Sequence, residues 1–142
     1  NMYLDIITYL NAALAGTMIF FVSVITPTVF KTLSNEYSSK FLRSIFPRMF
    51  LFGFILSFLS AIVSFYSGYF LEFYVLTIVS ILFLINRNLI TPKINFYRDR
   101  EIEGDEKAKK YFKLLHLLSV IFFIINFVII ILLLLKNSFD LI

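Results

Sequence analysis

Three polar side chains inside one long apolar run are the residues of this sequence best suited to chemistry. His116, Ser119 and Asn126 recur at spacings that bring them to one side of a helix. An imidazole can ligate haem or a metal, and hydroxyl and amide groups can hydrogen-bond a solute or coordinate an ion. Because polar groups inside a membrane span are costly, they are usually buried or functional. We therefore predict a polar site on this edge, with Asn11 and the serines of a second apolar segment as facing partners. Asn86, expected at one membrane face, is a further candidate for this site.

The run that carries this edge is long enough to cross a bilayer. Residues 114–135 contain no formal charge, and as a helix they would extend about 33 Å, which matches the hydrocarbon thickness. The chain has 142 residues, of which 60% are hydrophobic and 15% charged, with a mean hydropathy of +0.90. This composition excludes an ordinary soluble domain.

We predict an all-α fold, an integral membrane four-helix bundle that forms a single transmembrane domain over residues 2–142. The spans are expected at about 6–30, 49–71, 73–90 and 114–135, with an amphipathic interfacial helix at about 34–46. Ser34 would cap the interfacial helix, and Pro47 would open the second span. A short turn around Glu72 would join the second and third spans. Asp105, after Gly104, would cap a helix that runs into the fourth span.

Two further patterns bear on how the helices pack. A stripe of small residues along the second span predicts a face of close helix approach: Gly53, Ser57, Ala61, Ser64 and Gly68. The triplet Ile25, Thr26, Pro27 recurs as Ile90, Thr91, Pro92, and each triplet leads into a basic connection and another span. The bundle is therefore interpreted as two tandem helical hairpins related by an axis along the membrane normal.

The distribution of positive charge predicts the orientation. Every Lys and Arg except Lys136 lies in the first or third connection or at the adjoining end of a span. By the positive-inside rule these connections are cytoplasmic and both termini lie outside, in a plasma or inner membrane. Arg87, Lys93 and Lys113 are candidate contacts for anions or lipid headgroups. The expected partners are the lipid bilayer and a second copy of the chain in a homo-oligomer, and nucleic acid is not expected.

Three functions remain open. The first is transport or permeation of a small solute or ion, carried by the intramembrane polar residues. The second is haem or metal binding through His116, which would need a second ligand, for example from a dimer partner. The third is a structural or assembly subunit whose polar edge fixes helix packing. An enzyme is disfavoured and no catalytic residue or metal cluster is predicted, because the sequence has no cysteine, Gly-rich phosphate loop, nucleophile elbow or HExxH motif. The cofactor stays undefined.

Short motifs along nearly the whole chain resemble the transmembrane protein 205-like family. They are Pro27 with Phe30 and Leu33, the pair Phe46-Pro47, Pro92-Lys93-Ile94-Asn95 with Arg98-Asp99, and Phe112, His116, Ser119 and Asn126. Where the family often has glycine after the histidine, this chain has Leu117. The resemblance implies a four-helix integral membrane protein whose molecular activity is largely unassigned.

Overall fold

Four long helices make up the protein, in a computed structural model that describes residues 1–139. They are α1, Met2–Thr32; α2, Asn35–Tyr66; α3, Phe70–Ile102; and α4, Glu106–Phe139. All four are long and apolar enough to cross a membrane. The predicted all-α four-helix membrane bundle is confirmed, and residues 1–139 contain no strand.

The helices run alternately up and down, so the bundle has two chemically different ends. The connections 33–34 and 103–105 lie at one end, which we call the basic end because it carries every Lys and Arg except Lys136. The connection 67–69, Asn1 and the last described residue, Phe139, lie at the other, the terminal end, where Asn1 Nδ2 donates to the Tyr69 hydroxyl at 2.8 Å. The hydrophobic core fills the terminal half, where α1 packs on α4 and α2 on α3. Its fully buried side chains include Ile7, Leu14, Leu76 and Ile130.

The segment predicted as a separate interfacial helix is instead the first part of α2. The helix runs unbroken through Pro47, although proline removes one backbone donor and leaves the Arg43 carbonyl without its usual partner. Phe46, next to this weak point, packs its ring on Phe21 and Phe50, with centroid distances of 5.0 and 5.9 Å. Tertiary packing on both sides of Pro47 therefore outweighs the local preference for a break. Ser34 stands at the cap position but makes no side-chain capping bond.

The turn predicted around Glu72 lies earlier, at 67–69. Gly68 adopts a positive φ of 80°, which ends α2 at low cost because glycine has no Cβ. The Tyr69 N–H donates to the Ser64 carbonyl at 2.9 Å, which closes this turn. Glu72 therefore falls in the first turn of α3, where it is 2% exposed and paired with Lys136. Gly68 belongs to the turn and not to the helix-packing face.

The other connection behaves as the sequence predicted. Gly104 has a φ of 100°, and the Asp105 carboxylate accepts hydrogen bonds from the backbone N–H groups of Lys107 and Ala108 at 3.0 and 3.3 Å. These bonds satisfy donors that a helix start leaves unpaired. The cap at Asp105 is thus confirmed.

Close approach of α2 and α3 depends on small residues. Gly53 is buried directly against the Phe83 ring: a Cβ added at Gly53 would lie 2.7 Å from two ring atoms. One turn along α2, Ser57 receives a hydrogen bond from Ser80 Oγ at 2.9 Å. Gly53, Ser57, Ala61 and Ser64 are all buried, as the small-residue stripe predicts, and they bring the two helices together.

The repeated Ile-Thr-Pro triplets mark the same irregularity in both hairpins. The isoleucine of each triplet is the last residue of a π-helical turn, Phe21–Ile25 in α1 and Asn86–Ile90 in α3. In each, the threonine N–H and hydroxyl both donate to the carbonyl five residues earlier, with hydroxyl distances of 3.1 Å for Thr26 and 2.7 Å for Thr91. The wide π turn makes room for the following proline, which cannot donate to the preceding turn. The sequence repeat is thus also a repeat of backbone geometry, in line with two tandem hairpins.

Candidate functional site

A large cavity occupies the basic half of the bundle. It has a volume of about 1040 Å³ and is lined by residues from all four helices. Ligand sites for organic molecules are typically about 300–1,000 Å³. The space is therefore sufficient for a molecule of that size, and we call it the basic-end cavity.

The cavity exists because α1 leaves α4 in the basic half. Residues Met2–Phe20 of α1 pack on α4, whereas Thr26–Thr32 makes no substantial contact with α4 within the described residues and packs on α2. The change coincides with the π turn Phe21–Ile25, which rotates and offsets the chain that follows. On the opposite wall, α3 stays packed on α4 along both Phe70–Ile85 and Thr91–Ile102. The gap therefore opens on one side, between α1 and α4.

Aromatic rings form most of the inner wall of the cavity. Phe21 and Phe50 contribute from α1 and α2, and Phe123 and Phe127 from α4. Phe50 also packs on Phe83 behind it, with centroids 6.5 Å apart. These rings present a rigid apolar surface, which favours an apolar portion of any bound molecule.

Polar and cationic groups collect toward the basic end of the same cavity. This group comprises Asn35, Ser38, Ser39, Arg43, Asn95, Arg98 and His116, while the polar residues Ser23, Thr26, Thr91 and Ser119 also line the cavity. Among the described residues that line the cavity, none is Asp or Glu. The charge that its lining can present is therefore exclusively positive.

Each of the two arginines is held in place by an acidic side chain outside the cavity. Arg43 donates to Asp99 at 2.6 Å, which joins α2 to α3. This hydrogen bond holds the pKa of Asp99 below its ordinary value, although burial acts in the opposite direction, and the charge of Arg43 adds to the lowering. Arg98 pairs with Glu101 at 2.8 Å. A guanidinium has five N–H donors, so each arginine keeps donors for a further acceptor.

His116 lines the cavity beside an aromatic stack. The Arg98 guanidinium lies over the Phe112 ring, 5.2 Å from its centroid, and Phe112 stacks on His116 with centroids 5.9 Å apart and an interplanar angle of 25°. Cation–π contact and stacking together orient the side chains at the mouth of the cavity. The predicted site residue His116 therefore faces the cavity and not the packed core.

Two other predicted site residues meet in the wall next to His116. Ser119 Oγ donates to Asn86 Oδ1 at 2.6 Å, and Asn86 Nδ2 donates to the Ser119 carbonyl at 3.2 Å. Asn86 is 1% exposed and its own carbonyl accepts from Thr91. This reciprocal pair joins the π turn of α3 to α4, and Ser119 also lines the cavity.

The remaining two predicted residues lie apart from this group, in the core. Asn11 Oδ1 accepts from Ser60 Oγ at 3.0 Å, and Asn126 Nδ2 donates to the Val79 carbonyl at 3.5 Å. Neither asparagine lines the basic-end cavity. Asn11 Nδ2 and Asn126 Oδ1 are buried without a partner in the described part of the chain, a costly arrangement at the centre of a bundle. The structure thus divides the predicted polar edge into a cavity group and a core group.

The three predicted anion contacts lie outside the cavity lining. Arg87 Nε donates to the Pro47 carbonyl at 3.2 Å and its Nη1 donates to Asn88 at 2.9 Å, so this side chain joins α3 to α2. Lys93 and Lys113 are exposed at the basic end. They face the level where lipid headgroups would lie in a membrane.

Sequence reasoning from polar residues missed most of the cavity lining. Arg43 belongs to the segment predicted as an interfacial helix, and Asn95 and Arg98 belong to the basic third connection, which was expected to be cytoplasmic. A signal was present in the motifs that carry the family resemblance, since many of their members line the cavity: Phe30, Phe46, Ile94, Asn95, Arg98, Phe112, His116 and Ser119.

Nothing in the described residues supports metal binding. No group of three or more His, Cys, Asp or Glu side chains in residues 1–139 could hold a metal ion. Near the third connection, Asp99 and Glu101 pair with arginines, and Asp105 pairs with Arg100 and caps α4.

Comparison with known proteins identifies one domain. A family model described as a domain of unknown function, DUF4149, matches residues 9–102, which covers α1, α2 and α3 with the first two connections. No curated protein and no solved structure matches the chain. The match leaves the narrower resemblance to the transmembrane protein 205-like family as an interpretation of the sequence motifs.

Proposed function

We propose that this multi-pass membrane protein, which belongs to the DUF4149 family, transports a small organic solute through the basic-end cavity. The observation that carries the proposal is the cavity itself: about 1040 Å³ between four apolar helices. A scaffold whose only task is to fix helix packing would fill such a volume, because empty space forfeits dispersion contacts.

The lining favours an organic solute over an inorganic cation. Cation pathways are built from carboxylate rings or backbone carbonyls, whereas the described lining has no carboxylate and is rich in phenylalanine. Ion permeation, which the sequence left open, is therefore the less favoured form of transport.

Closure of the terminal half favours a carrier over an open pore. Beyond Phe127 the core is filled by Leu14, Ile130 and Leu133, each at most 5% exposed. A solute in the cavity would thus have access from the basic end or the membrane, and movement to the other face would require the helices to rearrange. The matched π turns beside the cavity are suitable positions for such a change, since π turns often mark functional sites in helices.

The orientation of the carrier follows from its charges. Because the basic end holds every Lys and Arg but Lys136, the positive-inside rule puts the cavity mouth on the cytoplasmic side of a plasma or inner membrane, with both termini outside. The chain has no cysteine, so single cysteines can report sidedness. Glu103→Cys is preferable to a change at Gly104, whose φ of 100° strains any other residue. Labelling of intact cells by an impermeant maleimide at Tyr66→Cys but not at Glu103→Cys is expected, and the reverse pattern would overturn this orientation.

The test of transport is flux into proteoliposomes with a matched pair of cavity variants. Val120 and Val128 are both exposed valines on α4, 38% and 47% in the isolated chain, but only Val120 lines the cavity. We would measure uptake of isotope-labelled toluenesulfonate, benzyltrimethylammonium and glycerol, which differ in charge. We expect the wild-type protein to transport at least one probe. The Val120→Trp variant, whose indole would occupy the cavity, should lose this flux, and the Val128→Trp variant should retain it.

Two outcomes would count against transport. Flux no faster than in empty liposomes for all three probes would overturn the proposal and favour the structural or assembly function. Flux that is equally affected by both tryptophan variants would show that the solute takes a route outside the cavity.

A further inference from the structure

The basic-end cavity combines a positive mouth, an apolar interior and an opening toward lipid. We propose that its ligand is an anionic amphiphile with a single acyl chain, which reaches the cavity sideways from the bilayer between α1 and α4. This inference deepens the proposed function, because it takes the cavity as a binding site and names the chemical class that fits it.

The opening between α1 and α4 faces the hydrocarbon of the membrane. Ile19 and Val22 on α1 and Val120 and Ile124 on α4 all line the cavity, and each keeps 38–53% of its area accessible, so no neighbouring helix covers them. Side chains that belong both to a cavity lining and to the lipid-facing surface mark the edges of a lateral opening. In a membrane, the molecules next to this opening are acyl chains.

The length of the cavity suits one acyl chain. On α4 the lining runs from Phe112 to Phe127, about 22 Å of helix. One leaflet contributes about 15 Å of hydrocarbon, so the cavity extends from the headgroup level to the middle of the membrane. A chain bound with its end near Phe127 would carry its headgroup at the level of Arg98.

The charges at the mouth select the headgroup. The basic side chains in the lining belong to Arg43, Arg98 and His116. The acidic side chains that pair with the two arginines lie outside the lining. A carboxylate or phosphate at this level would accept charge-assisted hydrogen bonds from guanidinium donors that the protein leaves free. A quaternary ammonium headgroup would find no carboxylate in the described lining to pair with.

The absence of tryptophan from the chain allows a direct test. Phe123→Trp would put a single tryptophan inside the cavity, and Phe58→Trp would put one on the lipid-facing surface, because Phe58 is 47% exposed and outside the lining. In proteoliposomes at about pH 9, where a carboxyl group is ionised, brominated amphiphiles quench whichever tryptophan they contact. The probes are dibromostearate, its uncharged methyl ester and a dibrominated phosphatidylglycerol.

We expect dibromostearate to quench the cavity tryptophan at a concentration about tenfold or more below that needed by the ester. At the surface tryptophan, the two should quench alike. Arg98→Gln in the Phe123→Trp background should remove most of the preference for the acid, whereas Arg100→Gln, on the same helix but outside the lining, should retain it. Quenching by the free acid without preferential quenching by phosphatidylglycerol at the cavity position is expected for a single-chain ligand. Quenching by phosphatidylglycerol that is stronger at the cavity position than at the surface would identify a two-chain phospholipid and contradict the single-chain assignment.

Two further results would overturn the inference, and they separate it from the proposed function. Equal quenching of the cavity tryptophan by acid and ester would remove the anion preference while leaving a lipid-accessible cavity that binds apolar solutes. If no probe quenched the cavity tryptophan more than the surface one, neither anionic selection nor lateral access would stand, although flux of a solute from water could still be observed.

Discussion

The contact between Gly53 of α2 and Phe83 of α3 gives a sharp prediction of stability. Gly53 faces the ring of Phe83, and an added Cβ would lie 2.7 Å from two ring atoms and 2.9 Å from a third. Carbon atoms prefer about 3.5–4.0 Å, so the ring would have to move by about 1 Å. Phe83 is 1% exposed and packs on Phe50, which leaves it little room.

Overpacking of this kind costs about 1–3 kcal/mol. The substitution Gly53→Ala also brings the general benefit of alanine over glycine in a helix, up to about 1 kcal/mol. Gly16→Ala isolates that benefit, because Gly16 is helical and a Cβ there meets nothing within 4 Å. We expect Gly53→Ala to be less stable than Gly16→Ala by about 1–3 kcal/mol or slightly more.

The measurement is the free energy of unfolding in mixed micelles, from titration with a denaturing detergent followed by circular dichroism. A third variant, Gly53→Ala with Phe83→Leu, should recover part of the loss, because the shorter side chain vacates the ring position. If Gly53→Ala is as stable as Gly16→Ala, the close packing of α2 on α3 described above is wrong.

Three other predictions use the same titration. Glu72→Gln should lower the free energy of unfolding by about 1–3 kcal/mol, since it leaves Lys136 without its partner near the terminal end; an unchanged value would show that water already solvates both groups. Thr91→Val should cost about 0.5–1.5 kcal/mol by removing the hydroxyl bond that supports the π turn of α3, and a neutral effect would mean that the backbone alone maintains this turn. Because Arg43 lowers the pKa of Asp99 in the folded state, the pair stabilises the fold above the ordinary carboxyl pKa and loses that contribution as the pH falls below about 4; Asp99→Asn should flatten this part of the pH profile, and an identical profile would contradict it.

The number and approximate positions of the helices follow from the sequence, because four uncharged apolar runs have few alternatives in a membrane. The junction of α2 and α3 was misplaced because Phe70 and Leu71 continue the apolar run of the preceding span. The helix ends at Gly68, which adopts a positive φ. From the sequence alone, however, this glycine continues a stripe of small residues, and it was therefore interpreted as part of a helix-packing face.

The candidate site could be predicted only in part. His116 and Asn126 share one side of α4, but ten residues of helix separate them by about 15 Å along the axis, so one lines the cavity and the other lies in the core. The hydrogen bonds between Asn86 and Ser119 depend on how α3 packs on α4. Helical periodicity shows which residues share a face of one helix but does not show which faces of two helices are in contact. The cavity depends on where α1 leaves α4, and the inward placement of Arg43 depends on the continuity of α2 through Pro47.

Occupancy of the basic-end cavity is the most direct test of the claim that this cavity is a ligand site. Native mass spectrometry of detergent-solubilised protein, incubated with stearate, can compare the wild-type chain with Val120→Trp and Val128→Trp. One bound stearate per chain is expected for the wild type and for Val128→Trp, and none for Val120→Trp, in which the indole fills the space between α1 and α4. The same distribution of bound stearate in all three proteins would contradict a ligand site in the basic-end cavity.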